Sequence, residues 1–213
     1  KELQNVNAQI GEKSAQAKAY EDDIKAQEAK IVQMEAEIKK KEAEEAAKKA
    51  AEEAARKAAA AGKTNNSTAK GNTGSTTTTS TGSSSLRWPC PASGRITSGF
   101  GNRKSPTAGA SSNHKGIDIS ASTGSSIVAA AGGTVSIATY SYSAGNYVVV
   151  NHGNGLSTVY MHCSQLLVSA GDTVKAGQTI AKVGSTGYST GSHLHFAVRK
   201  NGSYVNPSNY VSP

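Results

Sequence analysis

Residues 63–85, "KTNNSTAKGNTGSTTTTSTGSSS", contain no side chain bulkier than lysine or asparagine. A run so poor in apolar surface cannot offset the entropy of ordering its own backbone. It reads as a flexible Ser/Thr/Gly linker, and it sets a domain boundary within the 213 residues. The expected organisation is a helical segment over 1–62, the linker over 63–85 and a folded domain over 86–213.

Before the linker, apolar or small residues recur in alternating steps of three and four. Written as heptads, the a positions are Leu3, Ile10, Ala17, Ile24, Ile31 and Ile38, and the d positions are Val6, Lys13, Tyr20, Gln27 and Met34. Such a seam predicts a long helix that pairs with another as a coiled coil. Beyond Ile38 the seam ends in "KKKEAEEAAKKAAEEAARKAAAA", which has high helix propensity and many Glu–Lys pairs one turn apart but no apolar stripe. That stretch reads as a solvated helical spacer. The chain opens on Lys1, within the heptads, which reads as a processed or truncated product.

After the linker the texture becomes short β runs punctuated by turns, with 17 of the 22 glycines in residues 86–213. "GRITSGF", "SIVAAAGGTVSIATY", "NYVVVNHG", "LSTVYMHC", "QTIAKVGS" and "HLHFAVRK" are the candidate strands, and they argue a compact, largely antiparallel β domain. This domain carries 9 Lys and Arg against 2 Asp and Glu, a net charge of +7. Its field favours an anionic partner: nucleic acid, acidic headgroups or an anionic wall polymer. Nucleic acid is the weakest of these, because the cations are scattered and no helix-turn-helix, zinc-finger or RNP-like pattern accompanies them. No apolar run is long enough to span a bilayer. Cys90 and Cys163 lack CxxC spacing, which excludes a zinc ribbon and leaves either one disulfide or two inert thiols.

The chemistry-bearing residues are concentrated in three places. In "SNHKGIDIS", His114 and Asp118 would lie about 13 Å apart on a regular strand, so a common task requires a bend, which Gly116 makes easy. Asp118 is one of only two carboxylates in this domain; the other, Asp172, sits in a turn. In "LSTVYMHCS", His162 ends a strand whose Thr158 and Tyr160 are expected to share its face. In "TGSHLHFAV", alternation places His193 and His195 on one face, about 7 Å apart, and Leu194 and Phe196 on the other. His152, in "NHGNG", reads as a turn residue without a chemical role. Two histidines and an aspartate are the donor set of a catalytic zinc site. There is no HExxH and no glutamate after residue 85, so proton transfer would fall to a histidine.

"HKGID", "VYMH" and "STGSHLHF", in this order and spacing, resemble the lysostaphin/LytM-type zinc metallopeptidases that cleave peptidoglycan peptides. "SGFGNR", "AAAGGTV", "NYVVVNHGNG", "VKAGQTIAKVGSTG" and "VNPSNY" fit as well, so the resemblance covers about residues 95–211. It implies a mainly β peptidase domain with an antiparallel β-sheet groove, preceded by the helical coiled coil. It implies one Zn2+ per chain held by His114, Asp118 and His195, with His162 and His193 as general base and stabiliser of the tetrahedral intermediate. Met161, inside the YxH element, is expected to point away from His162. The implied substrate is peptidoglycan peptide and the implied location extracytoplasmic, where a disulfide between Cys90 and Cys163 is favoured. The alternative is a non-hydrolytic wall-binding or amidase-activating module, regulated by a protein partner or self-association through the coiled coil. The complete set of five site residues argues against it.

Overall fold

The computed structural model describes residues 2–61, 86–103 and 111–213. The stretch read as linker, 63–85, lies outside the described residues. Helix α1 spans Glu2–Ala61. Its residues up to Ala36 form one compact unit with residues 85–213, and residues 37–84 form a second. In the second unit the helix is solvated, and Glu45 and Lys49 pair at 2.6 Å across one turn.

Strands follow in chain order: β1 Ile96–Ser98, β2 Gly101–Asn102, β3 Asn113–His114, β4 Ile117–Ser120, β5 Ser126–Val128, β6 Gly133–Ser141 and β7 Gly145–Asn151. They continue with β8 Leu156–Cys163, β9 Gln165–Leu166, β10 Thr173–Val174, β11 Thr179–Lys182, β12 His193–Lys200 and β13 Ser203–Val205. The main sheet runs β1-β4-β12-β8-β7-β6-β10, with β13 beside the second half of β12. Its pairings are antiparallel. The expected antiparallel β domain is thus present, but β2, β3, β4, β9, β10 and β13, none longer than four residues, fall outside the candidate strands.

Each strand of the sheet presents two faces, and both are used. On one, Leu194, Phe196 and Val198 of β12 join Val148, Val150 and Tyr160 in the main core, together with Ile127, Ile180 and Ala181 from the small sheet β5-β11-β9. On the other, Tyr147, Val149, Val159 and Ala197 form a second cluster, and Ile31 of α1 is buried in it at 1% exposure. The heptad seam is therefore used within the chain: Ile31 and Met34 pack on the sheet, and Tyr20 stacks on Tyr142 at 4.9 Å. Val6 and Ile10 of the same seam are exposed.

Two expectations need correction. Cys90 and Cys163 are free. Both are buried in the main core, and the Cys163 Sγ turns back towards the carbonyl of Tyr160 on its own strand. Burial pushes the Cys163 thiol up to about 12. Thr158 and Tyr160 do not share the outlook of His162. They are fully buried, and the Tyr160 hydroxyl accepts from Ala130 N at 2.8 Å inside the core.

Candidate active site

The site is assembled from four chain segments. His114 ends β3, and the chain bends through Lys115 and Gly116 before Asp118 enters β4. Asp118 lies directly opposite His195 on the neighbouring β12, so the pairing of these strands brings together residues 77 positions apart. Gly116 is required here. A Cβ at this position would sit 2.5 Å from the Phe196 carbonyl oxygen and 2.7 Å from His195 Nε2.

His162 reaches the site through a β-bulge. Asn146 pairs with Cys163 but Val148 pairs with Tyr160, so Met161 and His162 together oppose the single residue Tyr147. The extra residue breaks the alternation, and His162 takes a φ of 63°. A bulge of this kind re-aims a side chain. The imidazole is thereby brought beside His193, with ring centroids 4.8 Å apart, instead of following Tyr160 into the core. Met161 packs in the cluster beneath α1.

Three ligand-type atoms converge. His114 Nε2 lies 3.0 Å from His195 Nδ1 and 3.1 Å from Asp118 Oδ1, and His195 Nδ1 lies 2.9 Å from the same oxygen. Each of these side chains is largely or wholly out of solvent. His114 Nδ1 donates to the Gly99 carbonyl at 2.7 Å, which leaves Nε2 with its lone pair facing the cluster. Acceptors packed at this distance need a shared proton or a cation between them. Two imidazole nitrogens and one carboxylate oxygen are a donor set that suits Zn2+, whose tetrahedral ligand atoms lie about 3.3 Å apart. Among the described residues this is the group of His, Cys, Asp and Glu able to hold a metal ion.

The surrounding groups tune the cluster. Burial alone would raise the Asp118 carboxyl, but the close approach of the His114 and His195 rings holds it well below the usual carboxylate range. Arg103 donates to Asp118 Oδ2 at 2.9 Å and also to Ser98 Oγ. In the sequence, "SGFGNR" fits the family resemblance without assigning Arg103 a role. Arg103 carried one usable signal, as one of nine cations in a domain with two carboxylates. Burial, followed by the neighbouring His195 and His193, lowers His162 to about 3, and burial lowers His195.

The two remaining histidines are oriented by main-chain carbonyls. His162 Nδ1 donates to Thr186 O at 2.9 Å, and His193 Nδ1 donates to Gly191 O at 2.8 Å. A carbonyl only accepts, so both rings carry their proton on Nδ1 and present Nε2 as an acceptor. His193 Nε2 lies 3.7 Å from Asp118 Oδ1. The loop bearing Thr186 is seated by Gly187, where a Cβ would come within 2.2 Å of Gly145 N. Beside His193 an open cleft of about 470 Å³ is lined by Thr97, Ser98, Arg103, Ser120, Thr190 and Ser192. His152 lies elsewhere: its Nδ1 donates to Gly132 O at 2.9 Å, and its Nε2 is 2.8 Å from Thr158 Oγ1.

Residues 112–207 match the model of peptidase family M23. The catalytic domain of the prophage-encoded M23 protein EnpA from Enterococcus faecalis, solved as a variant, is 35% identical. The match covers 61% of this chain and 98% of that one, at a TM-score of 0.52. The chain belongs to peptidase family M23. A zinc-containing peptidase from Vibrio cholerae is 37% identical over 57% of this chain and 39% of its own, at a TM-score of 0.54. The peptidoglycan DD-endopeptidase ShyC of Vibrio cholerae is 40% identical over 56% of this chain and 28% of its own length. The chain spans between 26% and 33% of the curated M23-like relatives it matches first. No helix among the described residues is long and apolar enough to cross a membrane.

Proposed function

We propose that this M23 domain is a zinc-dependent endopeptidase that hydrolyses peptide cross-links or bridges of bacterial peptidoglycan. The observation that carries the reading is the triangle of His114 Nε2, Asp118 Oδ1 and His195 Nδ1, with no side longer than 3.1 Å, beside two histidines that present free acceptors. In this reading those three residues hold one Zn2+ per chain. Zinc in such a site supplies Lewis acidity: it polarises a carbonyl and makes water acidic enough to attack at neutral pH.

The chain's own groups do the rest. In their neutral forms His162 and His193 are acceptors at Nε2, because their Nδ1 protons are committed to Thr186 O and Gly191 O. One takes the proton of the attacking water, and the other, carrying a proton on Nε2 taken up from solvent, faces the charge that develops on the scissile carbonyl oxygen. Asp118 stays ionised throughout, held by Arg103. The hydroxyl-lined cleft beside His193 offers partners for a peptide main chain. ShyC, named as a peptidoglycan DD-endopeptidase, and the basic domain charge support the wall as substrate and an extracytoplasmic location. The exposed seam residues Val6 and Ile10 support coiled-coil pairing with a second helix, from a partner protein or a second copy.

Digestion of purified sacculi tests this reading, with zinc content measured in parallel. The zinc-loaded chain is expected to release peptides with new termini, and His193→Ala is expected to keep its zinc and release none. Full zinc loading without cleavage of walls of several compositions would overturn it.

A further inference from the structure

The face of the sheet that carries the histidines is also the face on which α1 lies. Along β12, His195, Ala197 and Arg199 share one side. His195 belongs to the triangle, Ala197 packs with Ile31, and Arg199 Nη1 donates to Glu35 of α1 at 3.0 Å. On β8, opposite, Ser157 Oγ donates to Glu35 at 2.6 Å and Val159 packs with Ile31. Lys115, next to His114, pairs with Glu28 of α1. Arg199 is about 13 Å along the strand from His195, within the span of a short extended peptide whose scissile bond sits at the triangle.

Arg199 is 2% exposed; its Nη2 donates to Gly202 O, and its Nε has no partner. A guanidinium withdrawn from water in this way requires an anion. Residues 86–213 contain only two carboxylates. Asp118 is committed to Arg103 and the histidines, and Asp172 Oδ2 accepts from Ser169 N in its own turn. Neither carboxylate of the β domain reaches Arg199, and with α1 seated it is Glu35 that pairs with the buried guanidinium. α1 meets the domain through the polar side chains Asp23, Gln27, Glu28 and Glu35 and through the apolar or aromatic Tyr20, Ile31 and Met34.

We propose that Lys115 and Arg199 form a carboxylate-binding subsite of the groove, and that Glu28 and Glu35 of α1 occupy it as internal competitors of an acidic peptide. The proposal rests on the peptidase reading for the identity of the peptide, while the subsite itself rests on the charge balance of the sheet. Release of α1 uncovers the two cations for substrate carboxylates. Conversely, an acidic peptide displaces the helix.

Binding measurements on the full chain test this. The chains are zinc-loaded and carry His193→Ala so that the probe stays intact. The probes are a peptidoglycan stem tetrapeptide with free carboxylates and the same peptide with its carboxylates amidated. Glu28→Gln with Glu35→Gln is expected to tighten binding of the free acid at least tenfold and to leave the amide nearly unchanged. Ile31→Asp, a second route to release, is expected to do the same. Adding Arg199→Gln to the released chain is expected to abolish the preference for the acid. Equal affinity of seated and released chains for the free acid, or equal affinity for acid and amide in the released chain, would overturn the proposal. The readout is binding, so a chain that shows these differences and cleaves no wall would count against the hydrolase reading alone.

Discussion

Arg103 donates to Asp118 Oδ2 at 2.9 Å and leaves Oδ1 of the same carboxylate to His114 and His195. The two oxygens thus have separate tasks, and the guanidinium fixes the plane of the carboxylate. Removing such an outer partner typically costs 10–100-fold in metal affinity. Arg103→Gln is expected to weaken zinc binding by about that factor, read by competition with a chromogenic chelator. Unchanged affinity would show that Asp118 is held well enough without it.

His195 and His193 share a face but are expected to fail differently. His195→Ala removes a corner of the triangle and should abolish stoichiometric zinc. His193→Ala should retain zinc and lose cleavage by about 10²–10⁴-fold, the usual worth of a positioned proton-transfer group. Metal analysis beside wall digestion separates the two. Loss of zinc in both variants would make His193 a ligand.

Gly116 is a packing requirement with a functional consequence. Gly116→Ala places a methyl group 2.5 Å from the Phe196 carbonyl oxygen, so β12 or the bend after His114 must move. The expected result is a loss of about 1–3 kcal/mol in stability together with weaker zinc binding, seen as a lower melting temperature that added zinc no longer restores.

The thiols give a cleaner test of the corrected expectation. Cys90 and Cys163 are buried and free, and burial raises both pKa values, that of Cys163 to about 12. Thiolate is the reactive form, so iodoacetamide at pH 8 should modify neither in the folded chain. Both should react in denaturant without reductant. A requirement for reductant would reveal a disulfide.

Burial also lowers His152, and the sign of its effect follows. An unfolded histidine titrates near 6.5, whereas folded His152 resists protonation. It therefore contributes stability above about pH 6.5, which is lost as the pH falls through its lower folded value. Across that window the slope approaches about 1.4 kcal/mol per pH unit. Urea unfolding between pH 7 and 5 should show a slope shallower by up to one proton in His152→Gln. Parallel slopes would mean that His152 is as easily protonated folded as unfolded.

The longer strands and the bend at Gly116 were legible because the signals there are local, whereas the five candidate site residues were singled out together only by the family resemblance. Strand alternation puts His193 and His195 on one face, and glycines mark most of the places where the backbone takes a left-handed turn. His162 was legible as a residue but not in its orientation. Alternation alone sends it the way of Tyr160, and the bulge that turns it is a matter of register against β7. Arg103 escaped notice because its partner is 15 residues away and nothing nearby marks it as anything but a surface cation.

Composition and periodicity determined by themselves that a long helix and a glycine-rich β domain are present, while the candidate metal ligands came from the family resemblance. They could not determine where the heptad seam goes. A three-and-four pattern specifies an apolar stripe, and either a second helix or a sheet can cover such a stripe. Only the tertiary structure decided that Ile31 is buried against Val149, Val159 and Ala197, and that Glu28 and Glu35 meet Lys115 and Arg199. Those pairings lie 87 and 164 residues apart in sequence. Such distant pairings follow from how the strands and α1 pack, which no local pattern in the sequence encodes.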